Sequence, residues 1–116
     1  MYGLTVRWSL AGAADGVAKE LREYVTGTSL DRFTGMAGLR FKTWRMREGE
    51  WFEGTYVFAT AGAREAFLAG FRETAATSPG SRIVGAPPER MEPFEVVAVA
   101  EGGEGFVAGA GPGSPA

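Results

Sequence analysis

The sequence contains no cysteine and no histidine. Without cysteine there are no disulfides, no thiol nucleophile and no thiolate-held metal. Without histidine there is no Ser-His-Asp triad, no His-ligated haem and no imidazole base. Only carboxylates and carbonyls remain as metal ligands, which suits hard, weakly held ions. The acidic residues are dispersed and form no Asp-x-Asp-x-Asp-Gly loop. No metal, haem or flavin is therefore expected. A basic surplus is also missing: 12 Lys and Arg stand against 14 Asp and Glu, for a net charge of -2. Nucleic-acid binders carry a basic face, so no nucleic-acid partner is expected. No apolar run approaches the ~20 residues that span a bilayer, and no membrane partner is expected. Met1-Tyr2-Gly3-Leu4 lacks the basic segment and long apolar stretch of a signal peptide. The cytoplasm is the expected compartment.

What is present suits one globular domain. The chain has 116 residues, 45% hydrophobic and 22% charged, enough for a single core. Leu4, Val6, Trp8 and Leu10 alternate with polar residues, which predicts a strand. Asp15 is placed to cap a helix bearing Val17, Leu21, Tyr24 and Val25 on one stripe. Gly27 is expected to end or kink that helix. Ser29 is placed to cap a further turn carrying Leu30, Phe33 and Met36.

A second strand is predicted over residues 39–47. Leu39, Phe41 and Thr43 face one way, and Arg40, Lys42, Trp44 and Met46 the other. Glu48-Gly49-Glu50 makes a hairpin to a third strand over residues 51–59. Phe52, Gly54, Tyr56 and Phe58 share one of its faces. Thr60 caps a second helix to about residue 76, with Ala63, Phe67, Leu68 and Phe71 as its apolar face. Ser78-Pro79-Gly80 stops it. Residues 81–93 read as irregular, and residues 94–101 as the fourth strand.

The order β-α-β-β-α-β predicts an α+β, ferredoxin-like fold. It places two helices on one face of a four-stranded antiparallel sheet. Trp44, Trp51, Val57, Val97 and Val99 are left for the other face. An apolar patch of that kind calls for a cover, and a second copy packed sheet to sheet supplies one. A homodimer is expected. Residues 1–101 form the domain. Residues 102–116, rich in Gly, Ala and Pro, are expected to be a mobile tail.

The stretch Gly38-Leu39-Arg40-Phe41-Lys42-Thr43-Trp44, followed by Glu53-Gly54-Thr55-Tyr56-Val57-Phe58, resembles the YdhR-type monooxygenases of the dimeric α/β-barrel superfamily. Arg64-Glu65-Ala66-Phe67-Leu68 and Phe94-Glu95-Val96 extend the resemblance over roughly residues 3 to 101. Lys42, Trp44, Gly54, Tyr56 and Phe58 match the family pattern. Glu53 departs from it, standing where the first of two glycines is usual. The resemblance implies a dimeric α/β barrel with a pocket between sheet and helices. It also implies oxidation of an aromatic or polyketide-like molecule without metal, haem or flavin.

Five residues are ligand-site candidates: Arg7, Lys42, Trp44, Glu53 and Tyr56. Lys42 and Arg7 read either as ion-paired strand residues or as anchors for an enolate or carboxylate. Glu53 reads as a partner for either cation. Trp44 and Tyr56 read as packing residues or as walls for a flat ligand, with the Tyr56 hydroxyl as a polar handle. Trp8 and Trp51 carry the same two readings. Strand parity puts Lys42 with Trp44, and the β-ladder register decides whether Tyr56 joins them. Tyr56 is expected to face the helices, because Gly54 leaves room beside its ring. A catalytic residue is not identifiable from the residues alone. Two functions stay open: a cofactor-independent oxygenase acting on a small hydrophobic or aromatic molecule, and a non-catalytic homodimeric ligand-binding or interaction module. An RNA-binding reading fails because Phe52-Glu53-Gly54-Thr55-Tyr56 is acidic where base stacking needs a basic residue.

Overall fold

The computed structural model describes residues 1–110. Its four strands are β1 (Tyr2–Ser9), β2 (Leu39–Arg47), β3 (Trp51–Phe58) and β4 (Arg90–Glu95). They form one antiparallel sheet in the order β2-β3-β1-β4. The helices are α1 (Val17–Tyr24), α2 (Leu30–Phe33), α3 (Ala61–Thr74) and α4 (Pro79–Val84). This is the α+β, ferredoxin-like arrangement that the element order predicts.

The helices share one core against one sheet face. Leu4, Val6 and Trp8 of β1 and Phe52, Tyr56 and Phe58 of β3 are buried there with Val17, Leu21, Phe33, Leu68 and Val84 from the helices. Alternation along each strand explains the arrangement, since every second side chain points to the same side. Ala63, Phe67 and Phe71 of α3 pack against this core, as their helical spacing predicts. Thr60 caps α3, its hydroxyl oxygen accepting from the Ala63 amide at 3.1 Å.

Several local expectations are corrected. Asp15 caps nothing: Gly16 is the N-cap of α1, with a left-handed φ of 86° and no side-chain cap bond. Only a residue without a Cβ takes that φ cheaply. Gly27 does not end the first helix. The chain passes from α1 through a π-helical turn, Val25–Ser29, directly into α2. Ser29 caps nothing and is buried inside the helical run. Part of the segment read as irregular is helical, because Ser78 caps α4 and Pro79 starts it. Proline suits a first helical turn, where its missing N–H costs nothing.

β4 runs over Arg90–Glu95, earlier than residues 94–101. Pro93 lies inside it, and an edge strand tolerates that missing donor. Val97 and Val99 fall beyond the strand and are exposed. In β2 the register shifts between Leu39 and Phe41. This bulge separates two residues that simple alternation puts together: Leu39 packs on the core, and Phe41 meets Phe106 of the C-terminal segment with ring centroids 5.9 Å apart. Trp44 does not belong to the outer sheet face. It packs against the helix-side core. The tail expected over residues 102–116 is exposed through residue 110, and residues 111–116 lie outside the described residues.

Candidate functional site

The β2–β3 hairpin builds the site. Its register sets Lys42 opposite Tyr56 and Trp44 opposite Gly54. Lys42, Trp44 and Tyr56 therefore share the helix-facing side. The sequence leaves that register open, and the ladder decides it. Lys42 Nζ donates to the Tyr56 hydroxyl oxygen at 2.9 Å. The same nitrogen lies 3.6 Å from the ring centre of Phe33, 4.3 Å from that of Tyr56 and 4.6 Å from that of Trp44. Phe67 closes the box, with its ring centre 4.8 Å from that of Tyr56.

Glycine makes the pairing sterically feasible. A Cβ at Gly54 would lie 3.1 Å from Lys42 Cε and 3.5 Å from the Tyr56 hydroxyl. On the opposite wall, a Cβ at Gly80 would lie 3.0 Å from the Trp8 ring. Gly80 thus lets α4 approach the sheet. Trp8 Nε1 donates to Ser81 Oγ at 3.0 Å, and Ser81 Oγ donates in turn to the Ala75 carbonyl.

A cavity of about 40 Å³ opens between these walls. Lys42, Trp44, Gly54 and Tyr56 line it from the sheet, and Tyr24, Ser29, Arg32 and Phe33 from the helical run that contains the π turn. Phe67 and Phe71 of α3 and Ser78, Pro79 and Gly80 at the start of α4 complete the lining. One water needs about 10–15 Å³ of such space, so the cavity has room for two or three heavy atoms. Aromatic side chains fill the rest of the space between sheet and helices.

Burial sets the protonation of the pair. Desolvation, aided by the positive charge of Arg32, lowers the Lys42 amine to about 6. The ring faces around the amine favour its cation and act in the opposite sense. Desolvation pushes the Tyr56 phenol well above its ordinary value, so at neutral pH it remains a hydroxyl donor. No carboxylate pairs with Lys42 among the described residues.

Arg7 and Glu53 lie elsewhere. They occupy the opposite sheet face, paired across the β1–β3 ladder. Glu53 is 2% exposed. It accepts from Arg7 Nε at 2.9 Å, from Arg45 Nε at 2.9 Å and from Thr55 Oγ1 at 3.1 Å. The Arg45 terminal nitrogen also bonds it. Burial works to raise the Glu53 pKa, but the hydrogen bonds from Arg45, Arg7 and Thr55 outweigh it and hold the carboxyl below its ordinary value. Glu53 pairs with Arg7 but not with Lys42; its second cation is Arg45. Trp51 shares this outer face, with the Arg7 guanidinium 4.3 Å above its ring.

Sequence patterning missed Tyr24, Arg32 and the Ser78-Pro79-Gly80 turn as lining residues. Tyr24 and Phe33 were legible as apolar helix positions, but nothing in their spacing marks them as walls of a cavity. Among the described residues no group of three or more potential ligands is placed to hold a metal ion, and no helix is long and apolar enough to cross a membrane.

No family model matches the chain, and no curated protein matches it. Among solved structures, it is similar to the crystal structure of NE2512, a protein of unknown function from Nitrosomonas europaea. The TM-score is 0.61 at 22% identity, over 85% of this chain and 91% of that one. That likeness concerns the fold.

Proposed function

We propose that the chain is a cofactor-independent monooxygenase of the YdhR type, with Lys42 as the base that ionises an acidic phenol or enol. The observation that carries this reading is the half-buried Lys42 amine, held 2.9 Å from the Tyr56 hydroxyl and against three aromatic rings; desolvation lowers it to about 6. An amine unprotonated at neutral pH takes the substrate's hydroxyl proton. The ammonium so formed faces three aromatic rings and pairs with the new enolate. The electron-rich anion is the reductant and dioxygen the oxidant. The reacting carbon carries two hydrogens in the keto form: one oxygen atom becomes its carbonyl, and the other leaves as water with both hydrogens. Tyr56 donates to the oxygen of the anion, and Trp44 offers a flat wall. Arg7 and Glu53 have no part in this chemistry, because they lie on the other sheet face.

An aromatic substrate is larger than the 40 Å³ void. Its entry requires the π-turn segment and the Phe67 and Phe71 rings to move aside. π-Helical turns inside α-helices are frequent at functional sites. The small void also favours the second reading, a non-catalytic module in which Lys42 and Tyr56 only pack. Oxygen uptake with a hydroxylated polycyclic aromatic separates the two. The oxygenase reading expects uptake by the natural protein and its loss in Lys42→Met. No uptake by the natural protein leaves the module.

The same proposal includes a cytoplasmic homodimer that packs outer sheet face on outer sheet face. Trp51, Phe41 and the exposed Phe106 and Val107 supply apolar surface on or beside that face. Val57, counted toward that surface from the sequence, is already buried within the single chain. Light scattering at micromolar concentration tests the dimer, and a mass of about 12 kDa, that of one chain, over a wide concentration range contradicts it.

A further inference from the structure

The chain has two lysines, Lys19 and Lys42, and their surroundings are opposite. Lys19 is exposed on α1 and lies 3.9 Å from Glu23. Lys42 lines a cavity with its nitrogen against a phenol hydroxyl and three ring faces. We propose that Lys42 is also a nucleophile that captures one- or two-carbon aldehydes as an imine in this cavity.

Three features of the geometry fit this chemistry. The first is size. A void of about 40 Å³ takes a molecule of two or three heavy atoms as it stands, whereas an aromatic aldehyde enters only when the lining rings move aside. The second is the donor. Tyr56 Oη, 2.9 Å from Nζ, is placed to pass protons between nitrogen and the oxygen of the bound carbonyl. The third is the charge of the product. A protonated imine is a cation, and the faces of Phe33, Trp44 and Tyr56 surround the atom that carries it. A carbamate from carbon dioxide would instead set an anion against those same negative ring faces, so a carbonyl compound is the better occupant.

The step balances without a redox partner. The Lys42 lone pair forms a bond to the carbonyl carbon, and the C=O π pair moves to oxygen. A proton passes from nitrogen to that oxygen through the Tyr56 hydroxyl, giving the carbinolamine. The nitrogen lone pair then forms C=N as the C–O pair leaves as water, taking a solvent proton relayed through the Tyr56 hydroxyl, and the protonated imine remains. Burial and the Arg32 charge, which keep the amine largely unprotonated at pH 7, support the first step. The ionisable groups facing Lys42 are Tyr24 and Arg32 from the helical run and Tyr56 from β3.

The test is trapping. The folded protein at pH 7 is treated with limiting formaldehyde and cyanoborohydride, and the modified lysine is located by peptide mass mapping. Lys42 is expected to carry at least about tenfold more methyl label than Lys19, because only the unprotonated amine attacks. Acetaldehyde is expected to behave alike, and benzaldehyde to label Lys42 at least about tenfold more slowly, because its entry requires the lining rings to move aside. Tyr56→Phe is expected to lower Lys42 labelling by about tenfold or more while Lys19 is unchanged. Label on Lys19 equal to that on Lys42 overturns the proposal. So does Lys42 labelling that appears only in urea, or labelling by benzaldehyde as fast as by formaldehyde. The oxygenase reading shares Lys42 but is scored by oxygen uptake, so either can fail without the other.

Discussion

Lys42 packs tightly over Gly54: a Cβ on Gly54 would come within 3.1 Å of Lys42 Cε. Gly54→Ala therefore pushes the lysine stem away from Tyr56. The displaced atom belongs to a flexible side chain, so the cost is at the low end of overpacking, about 1 kcal/mol. Urea unfolding measures it. The same variant is expected to lower aldehyde labelling of Lys42, since its stem must shift by a few tenths of an ångström. Unchanged stability and labelling together show that the lysine accommodates the methyl group.

The pH dependence of stability carries the signature of Lys42. The amine is lowered from 10.5 to about 6 in the folded chain. Between those values the unfolded chain binds the extra proton. Stability therefore rises with pH across that window, and this contribution is lost as pH falls through about 6. The slope is on the order of 1 kcal/mol per pH unit. Lys42→Met is expected to flatten it. Urea midpoints at several pH values between 6 and 9, compared for the two proteins, decide the matter; parallel curves contradict the burial argument.

Glu53 shows the opposite dependence on the acid side. Its folded pKa is depressed, so its contribution is present above the ordinary carboxylate pKa and is lost as pH falls through the folded value. Glu53→Gln leaves Arg7 and Arg45 without their counter-charge. The expected loss is about 1.5–3 kcal/mol, that of hydrogen bonds to a charged group, because the arginines left behind reach solvent. Arg45 is 56% exposed, and Arg45→Ala is expected to cost less than about 1 kcal/mol. Equal effects in the two variants contradict this ranking.

Ser81 joins α4 to the sheet. Ser81→Ala leaves the buried Trp8 Nε1 without its acceptor. A loss of about 1–3 kcal/mol is expected, with a shift in tryptophan fluorescence. Ser81→Thr retains the hydroxyl and is expected to keep most of the stability. Alanine and threonine variants that unfold together point to packing as the cause, with no role for the hydrogen bond.

Strand patterning by itself determined the first three strands and most of the inner sheet face. Leu4, Val6, Trp8, Phe52, Tyr56 and Phe58 were legible because period-two alternation depends only on neighbouring residues. The hairpin at Glu48-Gly49-Glu50 and the cap at Thr60 were legible for the same reason. Tertiary structure decided what depends on distant partners. The β2–β3 register brought Lys42 onto Tyr56, and the bulge after Leu39 sent Phe41 to the outer face. β4 takes its bounds from pairing with β1, and its own alternation had placed it too late. The π turn carries Tyr24 and Arg32 to the cavity because the first helix continues through Gly27, a continuity no local propensity favours. The low Lys42 pKa likewise follows from burial by side chains far apart in the chain. A cavity is the space left after all of those side chains have packed, so no single stretch of sequence encodes it.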